Sequence, residues 1–350
     1  TLIVKILNHH SLSATKAGRL IFAAKGRPIM EFGARRAQGP DSAIYGARAS
    51  VIGGAASTSN VLAAKLFNIP AAGTMAHSWI EAFPDELTAF RKWAALYPDN
   101  SALLVDTYDV LTSGVPNAIT VFKELLAAGH QPVGIRIDSG DIATLARDAR
   151  KLLDAAGFPE TKITISNALD EAVITSLLDQ GAPIDNFGIG EKLITSASAP
   201  VLSGVYKLAA IETDGHVIPK IKISDSREKV TIPGKKQVYR LYRKGTRKAF
   251  ADVIAGSDET IADEIAVVDS NPLSVNRVHH LKNFDAEPIL LDTPLVPAQI
   301  PNNVHTIYHY AQQRLAELPA ATQRLINPDL YHVYMTTTLA DLQHALLNQL

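Results

Sequence analysis

One histidine, His77, stands in the run Thr74-Met-Ala-His77-Ser-Trp-Ile-Glu81, directly after the apolar segment Ile69–Thr74, where a strand would deliver a side chain into a site. An imidazole there can serve as base or nucleophile near neutral pH, and it can equally be a hydrogen-bonded structural residue. Three other segments hold side chains of chemical use. In Met30-Glu31-Phe-Gly33-Ala-Arg35-Arg36, a glycine at a strand end precedes two guanidinium groups that could grip a carboxylate or phosphate; on a solvated surface the same pair would be inert. In Arg136-Ile-Asp138-Ser139-Gly140-Asp141, Arg136 and Asp138 alternate along a strand and therefore face one side. Ser139, Gly140 and Asp141 then open a helix whose free N–H groups suit an anion, although Asp141 is equally suited to be an N-cap. In Phe187-Gly188-Ile-Gly190-Glu191-Lys192 the paired glycines allow backbone to approach a phosphate, a weak signal when taken alone. Ser166-Asn167 and Asp106-Thr-Tyr-Asp109 also end strands, with a structural role for Asp109.

These segments need a scaffold, and short apolar runs alternating with helical patterns supply one. Strands are expected at Pro28–Glu31, Pro70–Thr74, Leu103–Asp106, Pro132–Ile137, Lys162–Ile165 and Asn186–Gly188, with a further run at Val201–Ile211. Helices are expected at Ser59–Leu66, Asp85–Tyr97, Asn117–Ala128, Asp141–Ala156 and Leu169–Gln180, with Asp141 as a cap and Gly129 and Gly157 as stops. The alternation is that of βαβ units on a parallel sheet, here read as an α/β barrel, and the motifs above fall at the carboxyl ends of its strands, where barrels place their chemistry. From Thr213 to Phe284 the texture changes to turn pairs such as Asp214-Gly215 and Pro233-Gly234 between alternating strands at Val217–Ile223, Val238–Arg243 and Ala249–Ile254, the pattern of antiparallel β. The divisions expected are a lead-in helix or strand segment at 1–27, the barrel with the site at 28–212, a β-rich segment at 213–286, and at 287–350 a proline-spaced strap followed by helices near Val304–Glu317, Ala320–Asn327 and Thr338–Gln349.

With 350 residues, the chain can bury a large core. A net charge of −1 creates no field to gather nucleic acid or an anionic membrane, so neither is an expected partner and anion binding must be local. The absence of cysteine excludes disulfides and thiolate metal sites. Thr1 opens no signal peptide, no stretch approaches the roughly 18 apolar residues of a membrane span, and a cytoplasmic location is expected. A first residue other than methionine reads as a cut or processed chain.

In this order, the four segments resemble those of nicotinate phosphoribosyltransferases, type II phosphoribosyltransferases of NAD salvage. The likeness runs from Asn8, Ser11, Ala14, Thr15 and Lys16 to the tail Asn327-Pro328-Asp329-Leu330-Tyr331-His332-Val333. It implies an irregular TIM-like α/β barrel with part of a second, β-rich sandwich domain. It also implies transfer of phosphoribosyl from phosphoribosyl pyrophosphate to nicotinate, with ATP as co-substrate, Mg²⁺ with the polyphosphates and a homodimeric assembly. His77 matches the phosphohistidine through which ATP hydrolysis is coupled. Arg136 and Thr74 match residues on the nicotinate, with Glu31 and Arg35 beside them, and Asp138 would stabilise the oxocarbenium-like ribose. Arg36, Ser139, Gly140, Asp141, Ser166, Asn167, Gly188, Gly190 and Glu191 would hold phosphate and ribose. Glu191 replaces a threonine of some relatives, which leaves backbone contact at that position. The family's long N-terminal region, implied to hold half of the sandwich and a tyrosine that stacks on nicotinate, has no equivalent here, so the apolar face of Val217–Ile254 is expected to be exposed.

Two other readings compete. A nicotinamide or quinolinate phosphoribosyltransferase would share the fold, but the nicotinamide enzymes usually have an aspartate where Glu31 stands. A shortened, non-catalytic ligand-binding homologue would keep the barrel without turnover. A product assay with and without ATP separates the three.

Overall fold

The computed structural model describes residues 1–224, 230–270, 277–289 and 303–349. By its internal contacts the chain divides into two compact units, Thr1–Ser203 with Asn302–Tyr308, and Gly204–Pro301 with His309–Leu350.

The first unit opens with α1 (Leu2–Ala23), so the lead-in is helical. It buries Leu12, Ala17, Leu20 and Ala23 on one face and draws in Lys16, whose ammonium meets Glu171 at 2.6 Å. β1 (Ile29–Glu31) leads through a 3₁₀ turn at Ala34–Arg36 into α2 (Pro40–Ile52), a helix the sequence reading did not anticipate. Gly39, at φ 109°, makes the bend and Pro40 takes the first helical position, where no N–H is needed; the Gly-Pro pair reads as a loop but here starts a helix. There follow β2 (Ser57–Thr58), α3 (Val61–Phe67), α4 (His77–Glu81), α5 (Glu86–Leu96), β3 (Ala102–Leu104), α6 (Val115–Ala127), β4 (Gly134–Ile137), α7 (Ile142–Ala155), β5 (Lys162–Ile165), α8 (Glu171–Asp179), β6 (Asn186–Ile189) and α9 (Glu191–Ile194).

All six strands run parallel, in the order β2-β1-β6-β5-β4-β3, and form a half-barrel. Ile29, Leu103, Leu104, Ile135, Ile137, Ile163, Ile165, Phe187 and Ile189 are all buried, the apolar saturation expected of strands covered on both faces. The expected stops and caps are present. Gly129 and Gly157 close α6 and α7 at φ 88° and 89°, and Asp141 caps α7 by accepting from the Thr144 N–H at 3.3 Å.

The stretch Pro70–Thr74 is not a strand. It meets β2 through one parallel bridge, Thr58 to Ala71, because Pro70 has no N–H to give a ladder. Val201–Ile211 is also irregular until Ala210. Val201, Leu202, Val205, Tyr206 and Leu208 stand exposed, and a run can be apolar without being buried in a sheet.

In the second unit, β7 (Ala210–Thr213) and β8 (His216–Pro219) form a hairpin turned by Asp214 and Gly215 at φ 51° and 75°, the positive-φ pair expected there. β9 (Lys236–Arg243), β10 (Ala249–Gly256), β11 (Glu264–Asp269), β12 (Val278–Lys282) and β13 (Phe284–Pro288) join β14 (His332–Thr336) in a second six-stranded sheet, in the order β12-β11-β14-β10-β9-β13. α10 (Val304–Glu317), whose first residues to Tyr308 count with the first unit, precedes a 3₁₀ turn at Ala320–Gln323, in place of the expected helix to Asn327. β14 (His332–Thr336) then enters the sheet interior, parallel to β10, and α11 (Thr337–Leu347) follows. The proline-spaced strap falls largely on residues 290–302, outside the described residues. Of the apolar face expected to lie open at Val217–Ile254, Val217 and Ile218 are exposed. Leu241, Ala251 and Val253 pack instead against Val267, Phe284 and Tyr334.

Candidate functional site

At the carboxyl ends of the half-barrel's strands, side chains from β1, β4, β5 and β6 enclose a cavity of about 190 Å³, lined by Phe32, Arg35, Arg36, Arg136, Asp138, Ser166, Asn167, Ala168, Gly188, Gly190 and Glu191. Arg136, on β4, is its most constrained member. Its Nε donates to Ser166 Oγ at 2.7 Å, Nη1 to Thr74 Oγ1 at 2.8 Å and Nη2 to Asp138 Oδ1 at 3.2 Å, while its guanidinium carbon lies 5.2 Å from the centroid of the Phe32 ring. The Ser166 hydroxyl donates in turn to Asp138 Oδ1. Three donors are thus spent on orienting the guanidinium, and the remaining N–H groups are left for a ligand.

The glycines act by absence of a side chain. A Cβ on Gly188 would lie 2.4 Å from the Phe32 ring, and one on Gly190 would lie 3.0 Å from the Phe32 carbonyl oxygen. Gly188 therefore lets the ring lie against β6, a packing role beside the phosphate role expected of it. Asn167 holds φ 114°, a conformation few non-glycine residues adopt, at the cavity rim; its side chain accepts from the Ala168 N–H at 2.7 Å. Arg36 and Glu191 approach to 3.7 Å, but both are more than half exposed, so solvent screens the pair.

His77 lies outside the cavity lining, as the first residue of α4 rather than directly after a strand. Its Nε2 is 3.2 Å from Asp106 Oδ1, with the ring 41% exposed and the aspartate side chain 1%. The other oxygen of Asp106 accepts from the Asp138 backbone N–H at 3.1 Å and from Ser139 Oγ at 2.6 Å. One buried carboxylate thus ties the histidine to the loop that carries Asp138. Spacing alone puts Asp106 at a strand end and assigns it no chemistry. The missed signal was a carboxylate two residues beyond β3, in register with the loop after β4. Asp109 accepts from the N–H groups of Leu111 and Thr112 and caps a π-turn, the structural role expected of it.

Several expected residues stand apart from the cavity. Thr74 reaches it only through Arg136. Ser139 turns to Asp106, and Gly140 makes its turn at φ 82°. Asp141 is exposed, and its carboxylate is occupied by the N–H and hydroxyl of Thr144, bonds that hold it below the usual carboxylate range. Glu31 is wholly buried behind the cavity. Its carboxylate accepts from the Gly33 N–H and, at 2.6 Å, from Thr58 Oγ1; burial pushes it up, against the pull of those two bonds. Phe32, quoted in the motif without a role, is the residue that walls the cavity. Among the described residues no group of three or more His, Asp or Glu side chains could hold a metal, and no helix is long and apolar enough to cross a membrane.

A parallel half-barrel with an arginine-lined cavity at its strand ends is the arrangement in which barrel proteins place sites for small anions. Residues 28–252 match the nicotinate phosphoribosyltransferase family and residues 235–343 match its C-terminal domain, and the chain belongs to that family. It is 43% identical over 336 residues to the nicotinate phosphoribosyltransferase of Bacillus subtilis strain 168, covering 95% of this chain and 68% of that protein. It is 44% identical over 245 residues to nicotinate phosphoribosyltransferase pncB2 of Mycobacterium tuberculosis H37Rv, covering 70% of this chain and 51% of that one. The chain therefore spans about half to two thirds of these relatives' length. Its structure is similar to the crystal structure of human nicotinic acid phosphoribosyltransferase, with a TM-score of 0.81 and 28% identity, over 99% of this chain and 76% of that one.

Proposed function

We propose that this chain transfers phosphoribosyl from phosphoribosyl pyrophosphate to nicotinate, giving nicotinate mononucleotide and pyrophosphate in NAD salvage. The observation that carries the reading is Arg136, a guanidinium held by Ser166, Thr74 and Asp138 beside an aromatic wall, with donors to spare for a carboxylate on a flat ring. Arg35 supplies further positive charge. Arg36, the backbone at Gly188–Glu191 and the Ser166–Asn167 turn take the phosphate and ribose. The ring nitrogen of nicotinate gives its lone pair to the anomeric carbon as the bond from that carbon to pyrophosphate oxygen breaks, and no proton moves. Asp138 faces the positive charge that develops on the ribose.

His77 adds the coupling to ATP. Asp106 already accepts from two donors, so Nε2 of His77 carries the proton towards it and Nδ1 keeps the lone pair. Nδ1 attacks the γ-phosphorus of ATP, the N–P bond forms as the bond to the ADP oxygen breaks, and water later releases phosphate. Mg²⁺ enters with the polyphosphates, whose charge it neutralises, since the described residues provide no cluster to hold it alone. Family likeness supports a cytoplasmic setting and a homodimer. The reading is tested by assaying purified chain for nicotinate mononucleotide with and without ATP, with nicotinamide and quinolinate in parallel. Product from nicotinate alone, stimulated by ATP, is expected; preference for either other ring, or binding without turnover, would replace the reading.

A further inference from the structure

Glu31 ends β1 one residue before the aromatic wall, yet its carboxylate faces away from the cavity into the interior, where charge is costly to leave unpaired. Both oxygens are satisfied locally, one by the Gly33 N–H and the other by Thr58 Oγ1 at 2.6 Å. The hydroxyl of Thr58 is itself oriented, because its oxygen accepts from the Asn60 N–H at 3.0 Å while its proton goes to Glu31. The bracket holds a very tight turn. A Cβ on Gly33 would lie 2.4 Å from Ile194 Cβ and 2.8 Å from Glu31 Oε1, so the chain at Gly33 has no room to move towards either. Between the two anchors sits Phe32, its N–H bonded to the Ile189 carbonyl at 2.8 Å and its ring between Gly188 and the Arg136 guanidinium.

We infer that Glu31 and Thr58 form a buried positioning pair that fixes the Phe32–Gly33 turn, and with it the aromatic wall against which the substrate's ring is fitted. The inference rests on the proposed transfer to nicotinate for the identity of that ring, but not for the geometry of the bracket. Neither residue touches substrate. Their effect passes through the Phe32 ring, so it bears more on the substrate's ring than on the phosphates, which the Gly188–Glu191 backbone beside Phe32 holds from β6, a strand with its own ladders to β1 and β5. Burial, which pushes the Glu31 carboxyl up, makes its hold on the turn depend on keeping both donors.

Thr58→Val removes the hydroxyl at nearly constant shape, and Thr58→Ser keeps it. The first readout is hydrogen–deuterium exchange of the Gly33 amide in ligand-free protein; the second is KM for nicotinate against KM for phosphoribosyl pyrophosphate. Loss of one hydrogen bond to a charged group predicts about tenfold faster exchange and about tenfold higher KM for nicotinate in Thr58→Val. KM for phosphoribosyl pyrophosphate should stay within about twofold, and Thr58→Ser should match wild type in every readout. Glu31→Gln, which opposes its amide N–H₂ to one of the two donors, should give the same split and carries the test if the valine variant fails to fold. Unchanged exchange at Gly33, or equal rises in both KM values, overturns the inference. Faster exchange at Gly33 in a protein whose wild type makes no nicotinate mononucleotide upholds the positioning pair and overturns the proposed reaction instead.

Discussion

Arg136→Lys separates recognition of the nicotinate carboxylate from the general upkeep of the site. The guanidinium serves Ser166, Thr74 and Asp138 from three different nitrogens and lies over Phe32 as a plane. A lysine ammonium is one compact charge; it cannot reach all three partners and still present a paired edge to a ligand carboxylate. Losing one charge-assisted hydrogen bond of such a pair costs about 1.5–3 kcal/mol, roughly 10- to 150-fold in nicotinate affinity. The salt bridge to Asp138 is only partly exposed, at 16% and 23% for the two side chains, so a smaller loss of fold stability accompanies the change. Titration calorimetry with nicotinate and with phosphoribosyl pyrophosphate separately should show the first falling over that range and the second by about threefold or less. Nicotinamide, which lacks the carboxylate, should show little difference between wild type and variant. Equal losses for both substrates would refute the argument and assign Arg136 to the phosphates or to the fold.

His77→Ala should abolish ADP release from ATP while leaving some uncoupled transfer, because in the proposed reaction the imidazole carries phosphate and does not hold nicotinate; an unaltered ATPase would remove it from the mechanism. Gly188→Ala places a Cβ 2.4 Å from the Phe32 ring and should cost about 1–3 kcal/mol in urea unfolding through overpacking, together with a raised KM for nicotinate. Burial raises the Glu171 carboxyl, but its bonds from Lys16 and Arg19 outweigh this and hold it below its ordinary value of 4.5. Its contribution to stability is therefore full above that value and lost as pH falls through the depressed one. The urea midpoint of wild type should drop below about pH 4.5, and Glu171→Gln should flatten that part of the curve; a parallel drop in the variant would exclude Glu171 as the cause.

What the sequence made legible was the part governed by short-range rules. β5 is an apolar run between turn residues and its limits coincide with those expected; α6 and α7 stop at the glycines that their positive φ requires. Pairing at long range was harder to read. His332–Thr336 holds a short β-prone run, Val-Tyr-Met, with no clean alternation, and only distant partners, β10 and β11, make it an inner strand. Glu31 shows a signal that was present and passed over. It stands two residues from Ile29, so the period of a strand puts both on one side, and Ile29 is core. A carboxylate on that side must find internal donors, as it does in Thr58 and Gly33.

Asp106 shows why a site of this kind resists reading from spacing alone. The parallel sheet ends at β2 on one side and β3 on the other, and among the described residues no backbone ladder joins the stretch Pro70–Thr74 to β3. Side chains cross the opening instead: Thr74 takes a hydrogen bond from Arg136, and His77 meets Asp106. A backbone ladder would satisfy its own polar groups and leave none for chemistry, whereas side chains that close the ring must be polar, buried and mutually oriented. Closure and function therefore fall on the same residues. Asp106 holds the histidine with one oxygen and the Asp138–Ser139 loop with the other, so a change at Asp106 that frees His77 also loosens the loop that carries Asp138. On that geometry the two halves of the proposed reaction, phosphorylation at His77 and transfer beside Asp138, share a single buried charge.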